Sequence, residues 1–279
     1  MTIDNTPASS PSSARPPLGT TATPLKAVET TAFAGVFQRE ATLFRRSWPA
    51  TTFGSIVEPT INLIAFGFGL GALVASVQGI PYIQFVGTGT VATAVLFSSI
   101  FAGMYDTYVK RYYWKTYDGI LATPVDVPEL FMAEGTWIAV KAGIFGCAPL
   151  LIAMLFGLPP SWGMLAIPFI CFLTGLGFAF MGQWFSAIVP SMDAFTYVQS
   201  ALVTPLFLLA GIYFPLSNLP QWVQSLALAN PLYHCVNLVR DAVFGWQPTA
   251  DVGHVAALAV FAVLMCALSV RALRRKLID

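Results

Sequence analysis

Charge is what this chain has least of. Only 10% of its 279 residues are Asp, Glu, Lys or Arg, against 56% hydrophobic, where a soluble domain carries about 25% charged residues. That shortage excludes a soluble globular domain and places the chain among polytopic membrane proteins. The formal net charge of +1 is uninformative about partners, because the placement of charges matters more than their sum; no nucleic-acid partner is expected. Cysteine and histidine are scarce too. Cys147, Cys171, Cys235 and Cys266 form no CxxC or Cys/His ligand spacing and read as small core residues. His234 and His254 are too isolated to suggest a metal site. No GxxxxGK[ST] loop occurs, and the dipeptide Gly-Lys is absent altogether, so the chain has no phosphate cradle of its own. GxSxG and HExxH are missing, and no cluster of membrane-depth carboxylates marks a proton relay. An enzyme, an ion-coupled pump, a metal centre and a bound cofactor all lack their parts.

What is present is a succession of apolar runs. They cover residues 53–77, 82–104, 130–158, 162–189, 194–214 and 253–270, each near the roughly 20 residues a spanning helix requires. The expected fold is all-α with six transmembrane helices, which puts both termini on one side. In that arrangement 12 of the 14 Lys and Arg residues fall on the side of the termini, and only Arg240 faces the other. The positive-inside rule makes the crowded side cytoplasmic. Residues 1–28 are rich in Pro, Ser, Thr and Ala and read as a disordered cytoplasmic tail without a signal peptide's apolar core. Between 29 and 48, Phe33, Phe37, Phe44 and Trp48 share a helical face among Arg39, Glu40, Arg45 and Arg46. An amphipathic helix lying in the inner interface is expected there, ahead of a transmembrane domain that occupies the rest of 29–279.

Two connections carry the functional expectations. The loop 105–129 holds Tyr108, Lys110, Arg111, Tyr112, Tyr113, Trp114, Lys115 and Tyr117, and residues 106–121 can form one short helix ended near Pro124. Aromatic and basic groups together compose a docking surface; the same composition suits an interfacial aromatic belt with snorkelling basic groups, and the two readings are compatible. The stretch 215–245 breaks at Pro215 into two amphipathic pieces of about 15 residues, too short to cross hydrocarbon. It is expected to be a broken, re-entrant helical hairpin at the outer end of a transport route, since irregular backbone is tolerated at membrane depth only where it lines a cavity or is buried in protein. Full crossing would force the last basic cluster outside. Along the route, Glu58, Asn62, Tyr197, Phe207, Tyr213, Phe214 and Trp222 are candidates, the aromatics being suited to stacking on sugar rings, to a flat drug, or to an outer belt. Lys141 shares a helix face with Glu134, seven residues away, and is read either as touching cargo or as pairing with a carboxylate or helix end.

The stretches EPTINLIAFGFGLG (58–71), YIQFVGTG (82–89) and YDGILATPV (117–125), with GIYFPLSNLPQWVQ and NPLYHCVNLVRDAVFG beyond them, resemble the membrane subunits of type-2 ABC exporters. The likeness lies in the branch of the nodulation-protein-J permeases, beside daunorubicin-type exporter permeases. The Phe-Pro corner and the Asn-Pro-Leu-x-His element are its most specific parts. The resemblance implies a bacterial inner-membrane, multi-pass permease with no enzymatic activity of its own. It further implies a second permease copy, surrounding membrane lipids, and a separate ABC ATPase subunit that holds the ATP and magnesium and receives the loop at about 106–120. The first and fifth spans would line the path, the hairpin would cap it, and the cargo would be a lipo-oligosaccharide or polysaccharide, with drug or antibiotic efflux as the alternative. An integral-membrane enzyme or assembly factor without a nucleotide partner is the remote third reading.

Overall fold

The computed structural model describes residues 29–278, and for residues 50, 51, 54–56, 58, 59 and 278 the backbone alone. The tail read at 1–28 lies outside the described residues. The chain opens on α1, Thr30–Gly69. At 1.5 Å per residue its 40 residues span about 60 Å. The segment 29–48, expected as a separate interfacial helix, and the first apolar run are thus one continuous helix. Pro49 removes one backbone donor from the ladder, but the turns on either side of it are helical and the axis continues. The helix ends at Gly69, and the chain then turns through a two-stranded antiparallel ribbon, β1 (Ser76–Val77) against β2 (Ile80–Pro81).

Among the described residues, four helical stretches are long and apolar enough to cross a membrane: Tyr82–Tyr112, Val127–Leu155, Trp162–Ile188 and Pro248–Leu277. They correspond to α2 (Tyr82–Phe101) with the turns that prolong it, α5 (Val127–Leu155), α6 (Ile167–Ile188) with the turn before it, and α11 (Pro248–Ile278). Two shorter apolar helical stretches, Thr60–Gly69 and Phe195–Leu208, occupy the remaining apolar runs. The second of these comprises α7 (Phe195–Val198), a π-helical turn over Gln199–Val203, and α8 (Thr204–Leu208).

At the centre of the bundle α6 packs on α5, α11 and α2. Where hydrocarbon surrounds helices, close backbone approach replaces the hydrophobic drive, so small residues occupy the contacts. A Cβ on Gly103 would stand 2.4 Å from the Ala179 carbonyl, and one on Gly182 would stand 2.5 Å from that of Ile100. These two glycines are what lets α6 seat against the end of α2. The periphery is different in character: α11 keeps Val252, Val260, Val263 and Leu264 on an exposed face.

After α8 come the hairpin helices α9 (Gln221–Leu228) and α10 (Pro231–Phe244). Both bury one apolar stripe. In α9 it is Val223 and Ala227; in α10 it is Leu232, Val236, Val239 and Val243, the helical periodicity of a one-sided surface element.

Candidate functional site

The loop after α2 is built outward from a continued helix. A π-helical turn over Ala102–Asp106 leads into α3 (Thr107–Tyr112), so the first half of the expected loop prolongs the second long helix. The single helix expected over 106–121 is two. The Tyr113 and Trp114 amides both close on the Val109 carbonyl, and Lys115 then adopts a left-handed conformation with φ 48°. That conformation costs a non-glycine residue energy and ends the helix. The chain restarts as α4 (Thr116–Leu121), and α5 begins at a capping box made by Asp126 and Glu129.

This break divides the eight docking candidates by exposure. Tyr112, Tyr113, Trp114 and Lys115 form an exposed tip, with Tyr113 at 66% and Trp114 at 71%. Tyr108, Arg111 and Tyr117 turn inward, and Lys110 is half-buried. The inward set anchors the tip. Arg111 Nη2 donates to the Ser186 carbonyl at 2.6 Å, in the last turn of α6, while its guanidinium faces the Tyr112 ring at 4.5 Å. A cation at a helix C-terminus complements the macrodipole. The Tyr108 hydroxyl donates to the Pro190 carbonyl at 3.2 Å.

Beneath the tip lies a cluster of buried charge. Lys110 Nζ sits 2.9 Å from Glu40 Oε1 and 3.0 Å from Glu134 Oε1, and the Tyr117 hydroxyl donates to Glu134 Oε2 at 2.6 Å. Glu134 is 2% exposed. Burial first, and then the Glu134 carboxylate, hold the Tyr117 phenol well above its usual range, so it remains a donor. One ammonium thereby joins α1, α3, α4 and α5. Sequence spacing places Glu134 and Lys141 on one helix face, whereas Glu134 closes on Lys110 and Tyr117 and makes no close ion pair with Lys141. Glu40, absent from the sequence candidates, is the third member; its clue was a lone acid in an Arg-bearing aromatic helix.

The route candidates separate as well. The Glu58 side chain lies outside the described residues, and Asn62 is half-buried on α1. Tyr197 is 77% exposed, and Trp222 and Phe214 are exposed apart from it. Tyr213 and Phe207 come together, with ring centroids 5.7 Å apart, and Phe66 reaches Tyr213 at 4.3 Å. From Phe207 the ring contacts continue through Phe97 at 5.6 Å, then Phe101, Tyr105 and Phe195, and Phe195 meets Tyr108 at 5.4 Å and Tyr108 meets Tyr112 at 4.4 Å. An unbroken aromatic ladder therefore joins the turn after α8 to the tip. Phe97, Phe101 and Tyr105 were legible as an i, i+4, i+8 series.

The hairpin is fastened by two polar side chains. Asn230 caps α10 by accepting from the Leu232 amide at 3.0 Å, and its Nδ2 donates to the Leu206 carbonyl at 2.7 Å. Arg240 Nη2 donates to the Gly211 carbonyl at 2.8 Å, where Gly211 turns the chain at φ 76°, and the guanidinium lies 3.7 Å from the Phe85 ring centroid. These contacts account for the Asn-Pro-Leu-x-His stretch as a cap and a tether. The described residues contain no group of three or more His, Cys, Asp or Glu that could hold a metal ion.

The sequence matches the family model of the ABC-2 type transporter over residues 31–244. The chain belongs to the ABC-2 type transporter family. Similar proteins in that company include nodulation protein J of Sinorhizobium fredii (strain NBRC 101917 / NGR234), 35% identical over 247 residues, which cover 88% of this chain and 93% of the relative. Nodulation protein J of Rhizobium meliloti (strain 1021) is 33% identical over 87% of this chain and 92% of its own length. The inner membrane transport permease YadH of Escherichia coli (strain K12) is 24% identical over 83% and 90%. As an ABC-2 type transporter domain, the chain is a membrane-embedded transport protein, and the matched span runs from the first turns of α1 to the end of α10.

Proposed function

We propose that this ABC-2 domain is the permease subunit of an ATP-driven exporter that moves an amphipathic, saccharide-bearing lipid out across a bacterial inner membrane. A separate ABC ATPase subunit docks on the tip at Tyr112–Lys115 and supplies ATP and magnesium. A second permease copy completes the path along the exposed faces of α1 and α7–α8. Six spans with both termini inside, and the hairpin outside, give the tip and the basic clusters the same cytoplasmic side.

The observation that carries this reading is the aromatic ladder. It joins ring to ring from the tip to the turn after α8, and its half-buried members Phe97, Phe101, Tyr105, Phe207 and Tyr213 keep ring surface suited to the apolar side of sugar rings. The similarity to two nodulation J proteins over most of both lengths supports a related cargo class. In mechanism, ATP drives the two ATPase subunits together and pulls on the tips. Because Lys110 ties α3 to α1, α4 and α5, the pull is delivered to several helices at once. ATP then favours the outward-open state by its differential affinity for the two states.

The test is stimulation of ATPase activity in the reconstituted permease–ATPase complex. A lipo-oligosaccharide is expected to raise hydrolysis several-fold and daunorubicin to leave it at the basal level. Stimulation by daunorubicin alone would assign drug efflux instead.

A further inference from the structure

The hairpin helices have a second, largely polar face each, and the two faces line one open cavity, with Gln221, Ser225 and Leu228 still exposed to solvent. Gln221, Gln224, Ser225 and Leu228 lie at i, i+3, i+4 and i+7 of α9; Tyr233, Asn237, Arg240 and Asp241 lie at i, i+4, i+7 and i+8 of α10. Together they line a cavity of about 680 Å³, within the roughly 300–1,000 Å³ of small-molecule sites. Gln78, at φ 53° in the ribbon turn, and Gln247, after α10, add to the lining.

The lining selects a chemistry. Five carboxamides surround the cavity, and each offers a donor and an acceptor at one planar end. Two of them are already oriented. Gln224 Nε2 donates to the Leu219 carbonyl at 2.8 Å and Asn237 Nδ2 to the Tyr233 carbonyl at 2.8 Å, which leaves their amide oxygens as acceptors. Tyr233 adds a ring. Arg240 Nη2 is committed to the Gly211 carbonyl while its Nε is a buried donor without a partner, suited to a ligand oxygen, and the Asp241 carboxylate on the same lining opposes an anion. An acyl chain or a flat apolar drug would leave these amides unpaired, which costs the desolvation of each. A neutral ligand dense in hydroxyls pairs them.

We propose that this cavity is a saccharide-binding site at the outer end of the permease. The assignment rests on the reading of the cargo as saccharide-bearing, and it gives the hairpin a role in receiving the sugar portion as it leaves.

The experiment is saturation-transfer difference NMR on the full chain in nanodiscs, with no ATPase present. The probes are cellotetraose and chitotetraose, tetrasaccharides without and with N-acetyl groups. Ring-proton transfer is expected from at least one of them. The combined Q224A/N237A variant is expected to weaken binding at least tenfold, and Q221A, at the exposed start of α9, about threefold. L155A, on a remote exposed surface, is expected to match the parent chain. Absence of transfer, or transfer undiminished in both cavity variants, overturns the site. Displacement of the tetrasaccharides by inorganic phosphate overturns the neutral-ligand assignment. Binding needs neither ATP nor transport. Loss of the site with ATPase stimulation by glycolipid intact therefore counts against the cavity alone, and binding without such stimulation counts against the exporter reading alone.

Discussion

The two ends of this permease are fastened by opposite electrostatic strategies. Below the tip, one ammonium is shared by two carboxylates, one of them joined to a buried phenol, and the partners come from four helices. At the hairpin a single guanidinium is spent on backbone carbonyls and a ring, and the nearby titratable groups face their own kind. His234 Nδ1 lies 2.6 Å from His254 Nδ1, and Asp241 neighbours Asp251. Removing one partner of a buried ion pair leaves an uncompensated charge, so the inner cluster resists dissection. Release of a guanidinium held by carbonyls and a ring breaks hydrogen bonds and a ring contact, not a close ion pair. On the proposed orientation, the tip end would transmit a displacement and the hairpin end would release.

The largest effect should come from breaking the inner cluster. Lys110→Ala strands the buried Glu134, while Glu40 keeps Arg39 at 2.7 Å, and is expected to cost about 3–5 kcal/mol, read as a loss of thermal stability in nanodiscs. K110M/E134Q, which removes the ammonium and one carboxylate together, should recover part of that loss. A pair that behaved additively would refute the sharing. The next effect belongs to the hairpin. Arg240→Lys keeps the charge but not the fork that serves Gly211 and Phe85, and should cost about 1.5–3 kcal/mol, seen as faster proteolysis of the segment from Pro215 to Gly245 with the inner helices unaffected.

Acid should sharpen the contrast. Burial, and then the Asp251 carboxyl, raise Asp241 from 3.8 to about 6. A carboxyl raised on folding binds more protons folded than unfolded, so its contribution weakens as pH climbs from 3.8 through about 6. Burial lowers His234 from its ordinary 6.5; its contribution is present above that value and lost as pH falls below it. The two oppose each other. His234→Gln should therefore leave a hairpin that gains protection between pH 7 and pH 5, by hydrogen exchange, while the parent chain changes less. The smallest stability effect is expected at the tip. Y113A/W114A should shift stability by less than about 0.5 kcal/mol, as exposed substitutions do, yet abolish ATP-driven transport in the reconstituted complex.

Much of this architecture can be read from pattern. The runs that become α2, α5, α6 and α11 are each apolar over a bilayer's length, and no tertiary contact is needed to see them. The amphipathic stripes of α9 and α10 are legible for the same reason, because a surface element must bury one face. Boundaries that depend on a single peptide are not. Pro49 signals an end to α1 that the flanking turns override, and the break at Lys115 follows from one residue's φ, which composition does not encode. Partners across helices are hidden for a different reason. Glu134 and Lys141 share a face at seven-residue spacing, but choosing Lys110 for Glu134 requires the fold that brings the Lys110 side chain from α3 to α5. The polar faces of α9 and α10 could be listed from sequence; only the fold turns them toward each other.

The contrast between a transmitting inner end and a releasing outer end is tested most directly by hydrogen exchange on the reconstituted permease–ATPase complex, with and without ATP under non-hydrolysing conditions. Amides of the hairpin from Pro215 to Gly245 should exchange faster once ATP is bound, while those of α3, α4 and the first turns of α5 stay protected. Melting of that inner junction under an unchanged hairpin would contradict the account.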